Sequence, residues 1–150
     1  MSGAGCRPWR SSRIGAGYTE YAGALAFTAY DGSQSLDLTG SGWRGYNGVA
    51  QTVATTPGAT FELTFHVGNQ SSNFGFYGLP SAVEVLIDGA SAGVFANADD
   101  SPADVNWKAF SLTFAAASAS TTVAFMNATG SADNMAGLDG VALTEVPEPA

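Results

Sequence analysis

Two glycine-punctuated stretches hold the side chains of this chain best suited to recognition chemistry. The first is Gly42-Trp43-Arg44-Gly45-Tyr46-Asn47-Gly48, and the second runs from Asn69 to Gly78 and contains Asn73, Phe74, Phe76 and Tyr77. An aromatic ring can stack on the apolar side of a pyranose while a neighbouring Asn, Asp, Arg or Gln binds its hydroxyls. Trp43, Arg44, Tyr46, Asn47, Asn73, Phe74, Phe76 and Tyr77 are therefore candidate carbohydrate contacts. The competing role is core capping, because aromatic rings bury well and adjacent glycines permit close packing; for each residue taken singly this role is the commoner one. Trp107, at the head of a strand-like segment, reads as core or rim packing.

Catalytic chemistry is harder to assemble from these residues. Paired carboxylates can cleave a glycoside, but their roles depend on separations of roughly 5 to 9.5 Å that a sequence does not supply, and no pair stands out. His66 is the sole histidine and Cys6 the sole cysteine, so neither a zinc centre nor a Ser-His-Asp arrangement comes together, and no intrachain disulfide can form. His66 falls on the polar side of an alternating segment and reads as a surface or inter-strand residue. Gly15-Ala16-Gly17 lacks the strand-then-helix setting of a phosphate loop. Asp99, Asp100 and Asp104 gather around Pro102 without the Gly and Glu of a helix-loop-helix calcium loop, which makes a solvated turn the better reading. The expectation is a protein without catalytic residues.

The elements that must position these stretches are strands. With 150 residues the chain suits one domain with a single core. Its 19 glycines, its 12% of charged residues and its abundance of Ala, Ser and Thr favour turn-rich β structure over a helical bundle. The clearest alternation lies in Ala59–Val67, with Phe61, Leu63, Phe65 and Val67 on one side and Thr60, Glu62, Thr64 and His66 on the other. Thr56-Pro57-Gly58 places Pro and Gly at the second and third positions of a type II turn, which predicts a hairpin between Gly48–Ala54 and this strand. Asp88-Gly89 predicts a second hairpin, joining Val83–Ile87 to Ala92–Phe95. Further strands are expected at Trp107–Phe114, Thr121–Asn127 and Leu138–Thr144, and also within 17–29 and 35–39. The total is roughly eight or nine strands, an all-β two-sheet antiparallel sandwich.

Charge narrows the partners. The formal net charge is −8, and three of the five basic residues, Arg7, Arg10 and Arg13, precede residue 14, leaving Arg44 and Lys108 in the body. Neutralising phosphates takes clustered Lys and Arg, so this charge pattern argues against nucleic acid and anionic lipid headgroups as partners, whereas neutral sugars and divalent cations fit. No apolar run reaches the length of a membrane span, and residues 1–13 have an Arg-rich start without the apolar core of a signal peptide. We read 1–13 as an atypical, disordered or misassigned N-terminus, 14–145 as the sandwich, and 146–150 as a Pro-rich linker.

Two resemblances extend this reading. Asp31-Gly32-Ser33-Gln34-Ser35-Leu36-Asp37-Leu38, Val49-Ala50-Gln51-Thr52-Val53, Pro57-Gly58, Phe61-Glu62-Leu63-Thr64-Phe65, Val67-Gly68-Asn69 and Gly137-Leu138-Asp139-Gly140-Val141, in that order and spacing, resemble the DUF642 type of galactose-binding-like jelly roll. That family is similar to carbohydrate-binding modules. The family's Asn-rich opening strand is not recognisable before Trp9, and the cysteines of its plant members are absent. The resemblance implies a structural Ca²⁺ clipping an early loop to the last strand, with Asp139 at the matching position and Asp31 or Asp37 adding oxygens toward the six to eight that calcium takes. The other role for Asp139 is to accept backbone N–H bonds where its strand begins, and for Asp37 to be a solvated face residue. Val146-Pro147-Glu148-Pro149-Ala150 resembles the start of the PEP-CTERM sorting signal of Gram-negative, exopolysaccharide-producing bacteria. Together these imply a secreted or cell-surface, non-catalytic module that binds a polysaccharide or cell-surface glycan and meets sorting machinery through its Pro-Glu-Pro segment. The alternative is a self-assembling extracellular matrix protein in which a neighbouring chain fills a strand edge left open by the missing opening strand. A glycan-active enzyme is the third reading.

Overall fold

The period-two alternation of Thr60–Asn69 decides the architecture, because its two faces cannot both be satisfied except between a core and solvent. In the computed structural model, which describes residues 12–14, 18–21, 29–31, 34–38, 48–69, 80–99, 105–129 and 136–147, Phe61, Leu63, Phe65 and Val67 are buried, and the residues between them face outward. The described residues form ten strands: β1 (Ser12–Ile14), β2 (Tyr18–Tyr21), β3 (Gln34–Asp37), β4 (Gly48–Ala54), β5 (Thr60–Asn69), β6 (Ser81–Ile87), β7 (Ala90–Asn97), β8 (Asn106–Ala115), β9 (Ser120–Asn127) and β10 (Gly137–Glu145). They make two antiparallel five-stranded sheets, sheet I in the order β1-β4-β9-β6-β7 and sheet II in the order β2-β3-β10-β5-β8. The all-β sandwich is as expected, with ten described strands where eight or nine were anticipated. The addition is β1, three residues long, while β2 is the described part of the expected segment 17–29.

The core lies between the sheets and is organised around Phe65. Its ring meets Phe95 edge-on at 5.1 Å and Phe125 at 5.2 Å between centroids, and stacks on Phe110 at 5.9 Å. Aromatic pairs in these offset and T-shaped arrangements add to the burial of their area. Val49, Val83, Val85 and Val123 complete the inner face of sheet I, all fully buried. β-Branched side chains suit this pleated, enclosed surface.

One expected hairpin forms and the other does not. Asp88 (φ 50°) and Gly89 (φ 84°) make the tight turn between β6 and β7, as Asp-Gly favours when both central residues need positive φ. Thr56-Pro57-Gly58 also turns as expected: Ala59 N–H donates to Thr56 O at 3.0 Å and Gly58 has φ 81°. However, β4 pairs with β1 and β9 in sheet I, whereas β5 lies in sheet II, so this turn carries the chain from one sheet to the other and no β4–β5 hairpin exists. The reason is the neighbouring crossing. The β8–β9 connection passes between the sheets beside it, and the two are tied by Thr55 N–H to Ala119 O (3.0 Å), Gly58 N–H to Ala116 O (2.8 Å) and Ala116 N–H to Ala59 O (2.9 Å). The turn's backbone groups find their partners in that second crossing.

Replacing Phe65 by Ala removes the ring that the other three phenylalanines contact and is expected to destabilise the fold by about 3–5 kcal/mol, read as a lower urea midpoint at unchanged slope.

Candidate functional site

Strand direction places the connections that carry the candidate aromatics. β3 ends at Asp37 and β4 begins at Gly48; β5 ends at Asn69 and β6 begins at Ser81. The pairings Gly48↔Met126, Ser81↔Asn97, Gly68↔Trp107 and Gly137↔Asp37 show these strand ends level with one another in their sheets. Hydrogen bonds between the sheets show that both sets lie at the same end of the sandwich. Ser81 Oγ donates to Asn69 Oδ1 (3.0 Å), and Asn97 Nδ2 donates to Val67 O (2.9 Å) and Asn106 O (3.0 Å). Asn69 Nδ2 donates to Asp99 O at 2.7 Å, and Asp99 N–H to Asn97 Oδ1 at 3.1 Å. Asn69, Ser81 and Asn97 are buried, so this end is fixed by side-chain amides that serve carbonyls the ladders leave open. Asn127 Oδ1 adds a local cap, accepting from Thr129 N–H (3.0 Å) and Thr129 Oγ1 (2.7 Å).

Trp43, Arg44, Tyr46, Asn47, Asn73, Phe74, Phe76 and Tyr77 themselves lie outside the described residues. What is described is their anchorage: both stretches are bracketed by strand ends on this one amide-tied end. Asp100 and Asp104 also lie outside, while Asp99 is exposed and sits 3.9 Å from Lys108 Nζ, an exposed pair of small energetic worth. Trp107 is rim packing on the outer face of sheet II. Its ring lies over Gly68, where an added Cβ would come within 2.6 Å of Cζ3.

The three metal-candidate carboxylates fall on or beside that outer face. Asp139 Oδ2 accepts the Asp31 N–H (3.1 Å) and Oδ1 accepts the Gly140 N–H (2.7 Å). This ties the segment around Asp31 to the last strand. Asp37 is paired with Gly137, two residues along from Asp139, and its Oδ1 accepts the Ala136 N–H at 3.3 Å. Both oxygens of Asp139 thus face donors, and among the described residues no three His, Cys, Asp or Glu side chains converge as a metal centre. Donors of this kind do not by themselves supply the oxygen shell that calcium takes. In the described geometry Asp139 serves as the amide acceptor of its strand.

His66 is more than a bland strand residue. It is Asp139's cross-strand partner, its ring stacks on Tyr30 with centroids 3.5 Å apart at 20°, and its buried Nδ1 has no hydrogen-bond partner. Burial pushes the His66 pKa below the usual imidazole range, while the Asp139 carboxylate acts in the opposite, raising sense. Tyr30 escapes a sequence reading, and Ser35, which opens the expected strand 35–39, gives no sign there of neighbours that come from strands distant in the chain. The Asp139-Gly140 dipeptide was the available signal, since Gly there hints at an irregular strand.

No protein-family model matches the chain, and no curated protein matches it in sequence. Among solved structures, the fold is similar to the CBM36-1 domain of a multidomain xylanase from the hindgut metagenome of Trinervitermes trinervoides, at 13% identity and TM-score 0.61, over 93% of each chain. It is similar to TmCBM61 in complex with beta-1,4-galactotriose, at 16% identity and TM-score 0.53, over 93% of this chain and 89% of the other. It is also similar to part of a Paenibacillus cycloisomaltooligosaccharide glucanotransferase complexed with cycloisomaltoheptaose, at 14% identity and TM-score 0.57. That match takes in 85% of this chain, which spans 17% of the length of the glucanotransferase. At such identities the likeness is one of fold.

Two outcomes test this geometry. Asn97→Ala strands the Val67 and Asn106 carbonyls and is expected to destabilise by about 1–3 kcal/mol in urea unfolding, the cost of orphaned buried polar groups. Because the folded His66 pKa is depressed, the unfolded chain binds more protons between that value and about pH 6.5. The stability due to neutral His66 is therefore complete above about pH 6.5 and lost as pH falls through the window. Unfolding compared at about pH 7.5 and about pH 5.5 should show a smaller acid loss for His66→Gln than for wild type, and equal losses would remove His66 from the account.

Proposed function

We propose that this protein is a non-catalytic carbohydrate-binding module, exported to the cell surface or exopolysaccharide matrix of a Gram-negative bacterium, whose end-of-sandwich connections hold a polysaccharide or cell-surface glycan. The observation that carries the reading is the anchorage of both aromatic, Asn-bearing stretches on one rigid end, fixed by Asn69, Ser81 and Asn97. Loops on such a frame are where binding residues concentrate. Fold likeness to modules of nearly the same length, one of them complexed with a galactotriose, supports the ligand class. The shortage of basic residues in the body supports a neutral glycan over an anionic polymer.

The tail supports the export reading. Val146 N–H still donates to Thr60 O at 2.8 Å, and Pro147, lacking an N–H, follows immediately, so the ladder ends where the Pro-Glu-Pro resemblance begins. Sorting machinery is the partner that such a segment would meet. Calcium enters as a further component of the proposal, with Asp139, Asp31 or Asp37, and backbone oxygens as the ligands that the resemblance implies. A second reading, self-assembly in a matrix, is favoured by β7, which is an edge strand among the described residues with Val94 57% exposed.

Glycan-array binding, with and without chelator, tests the proposal. Wild type should bind a neutral glycan, and Trp43→Ala should weaken that binding about tenfold or more, about 1.4 kcal/mol. Loss on chelation would support the calcium component. Absence of glycan binding together with concentration-dependent assembly in sedimentation would replace the proposal by the matrix reading.

A further inference from the structure

We propose a second glycan-contact site on the outer face of sheet II, where Tyr30 and Trp107 offer ring surface and Ser35 and His66, on either side of Asp139, each receive a sugar hydroxyl. The inference rests on the reading of this protein as a glycan binder, but it concerns a surface separate from the end-of-sandwich connections.

Register brings the group together. Leu36 packs with the core, so Ser35 and Asp37 face outward on β3; Asp37 lies opposite Gly137 and Leu36 opposite Leu138, which sets Ser35 beside Asp139. Asp139 lies opposite His66 on β5. Ser35, Asp139 and His66 therefore form one row across three neighbouring strands. In the next row, about 7 Å along the strands, Gly137 lies opposite Gly68, and the Trp107 ring rests on Gly68. Tyr30 lies over the first row with one ring face on His66, and 52% of its surface remains exposed.

Two buried polar atoms in that row want a partner. Ser35 is 5% exposed, and its Oγ makes no hydrogen bond; His66 Nδ1 is buried and makes none either. These are the buried side-chain polar atoms left unpartnered among the described residues, and such groups are rare enough in folded proteins to call for a cause. A hydroxyl is both donor and acceptor, so separate hydroxyls of one oligosaccharide can serve these two groups from either side of Asp139. The exposed Tyr30 ring, with the half-buried Trp107 ring one row along, suits the apolar side of the same sugar.

Charge selects among hydroxyl-bearing ligands. Asp37, Glu62 and Asp139 line this face, while Lys108 is in register with inward-facing Val67 and reaches toward Asp99. A phosphate or sulfate ester would meet carboxylates here, so the ligand is a neutral oligosaccharide.

The test is calorimetric titration of the full chain with β-1,4-galactotriose, xylotriose, cellotriose and isomaltotriose, on wild type, Tyr30→Ala, Ser35→Ala and Trp43→Ala, with the His66 ring signals followed by NMR. For the oligosaccharide that binds, Tyr30→Ala should weaken binding about tenfold. Ser35→Ala should raise Tm, because it removes an orphaned hydroxyl, and yet weaken binding about threefold to tenfold, because it removes a ligand contact. The His66 signals of wild type should shift on saturation, a readout that does not depend on any variant folding. A Ser35→Ala protein that gains stability and binds as wild type would show water as the only occupant and overturn the site. Unmoved His66 signals with binding lost only in Trp43→Ala would also overturn it, leaving the end-of-sandwich reading in place. Wild type that binds none of the four overturns both.

Discussion

Phe65 is the side chain on which the two sheets are registered. It sits mid-strand in β5, contributed by sheet II, and its contacts reach Phe95 and Phe125 in sheet I as well as Phe110 on the adjacent β8. A slip of one residue in β5 would turn Phe65 to solvent and drive His66 into the core, so the aromatic cluster fixes the register of the whole outer face as firmly as that of the inner one. The position of His66 beside Asp139, and of Gly68 beneath Trp107, follows from this choice of faces.

At the end of the sandwich the constraint is different in kind. Ladders stop there, and the carbonyls they leave behind must be served without water. Asn69 and Asn97 serve them with side-chain amides, each bonding to segments of both sheets or to the connection between β7 and β8. An amide carries two donors and an acceptor, which lets one buried residue stand in for several missing ladder bonds. This end carries the connections 38–47, 70–80 and 128–136, and the tight turn Asp88-Gly89 lies at the other end, docked to β9 through Thr122 N–H to Asp88 Oδ1 at 2.8 Å.

Local chemistry made much of this legible. The alternation of β5 and the Asp88-Gly89 turn are written within a few neighbouring residues, and strand positions, inward faces and the turn at Pro57-Gly58 all followed from them. Which strand lies beside β4 did not follow, because the answer rests on two sheet crossings bonded to each other across some sixty residues of chain, Thr55 to Ala119. Short strands such as β1 and β2 carry too few residues to show a period. The candidate site divides the same way. Asp139 stands out in the sequence through the resemblance, with amide acceptance as one of its two roles there, whereas the Tyr30–His66 stack involves a segment tied to β10 by the Asp31–Asp139 bond, 108 residues apart in the chain.

The irregularity in β10 links core to surface. Leu138 and Leu143 are both buried, yet they are separated by an odd number of positions, which in a regular strand would send them to opposite faces. The register shift between Asp139 and Ala142 supplies the extra residue that lets both face inward. Gly140, at φ 61°, takes the conformation the bulge requires, and it is also the one residue that fits there: an added Cβ would approach His66 Nδ1 to 2.7 Å and Tyr30 Cδ1 to 2.9 Å. The core therefore forces a bulge, the bulge is made at a glycine, and the space that glycine leaves is filled by the Tyr30–His66 pair. A side chain at position 140 would relieve nothing in the core and would close the outer face at the row where Ser35 and His66 keep their unpartnered atoms.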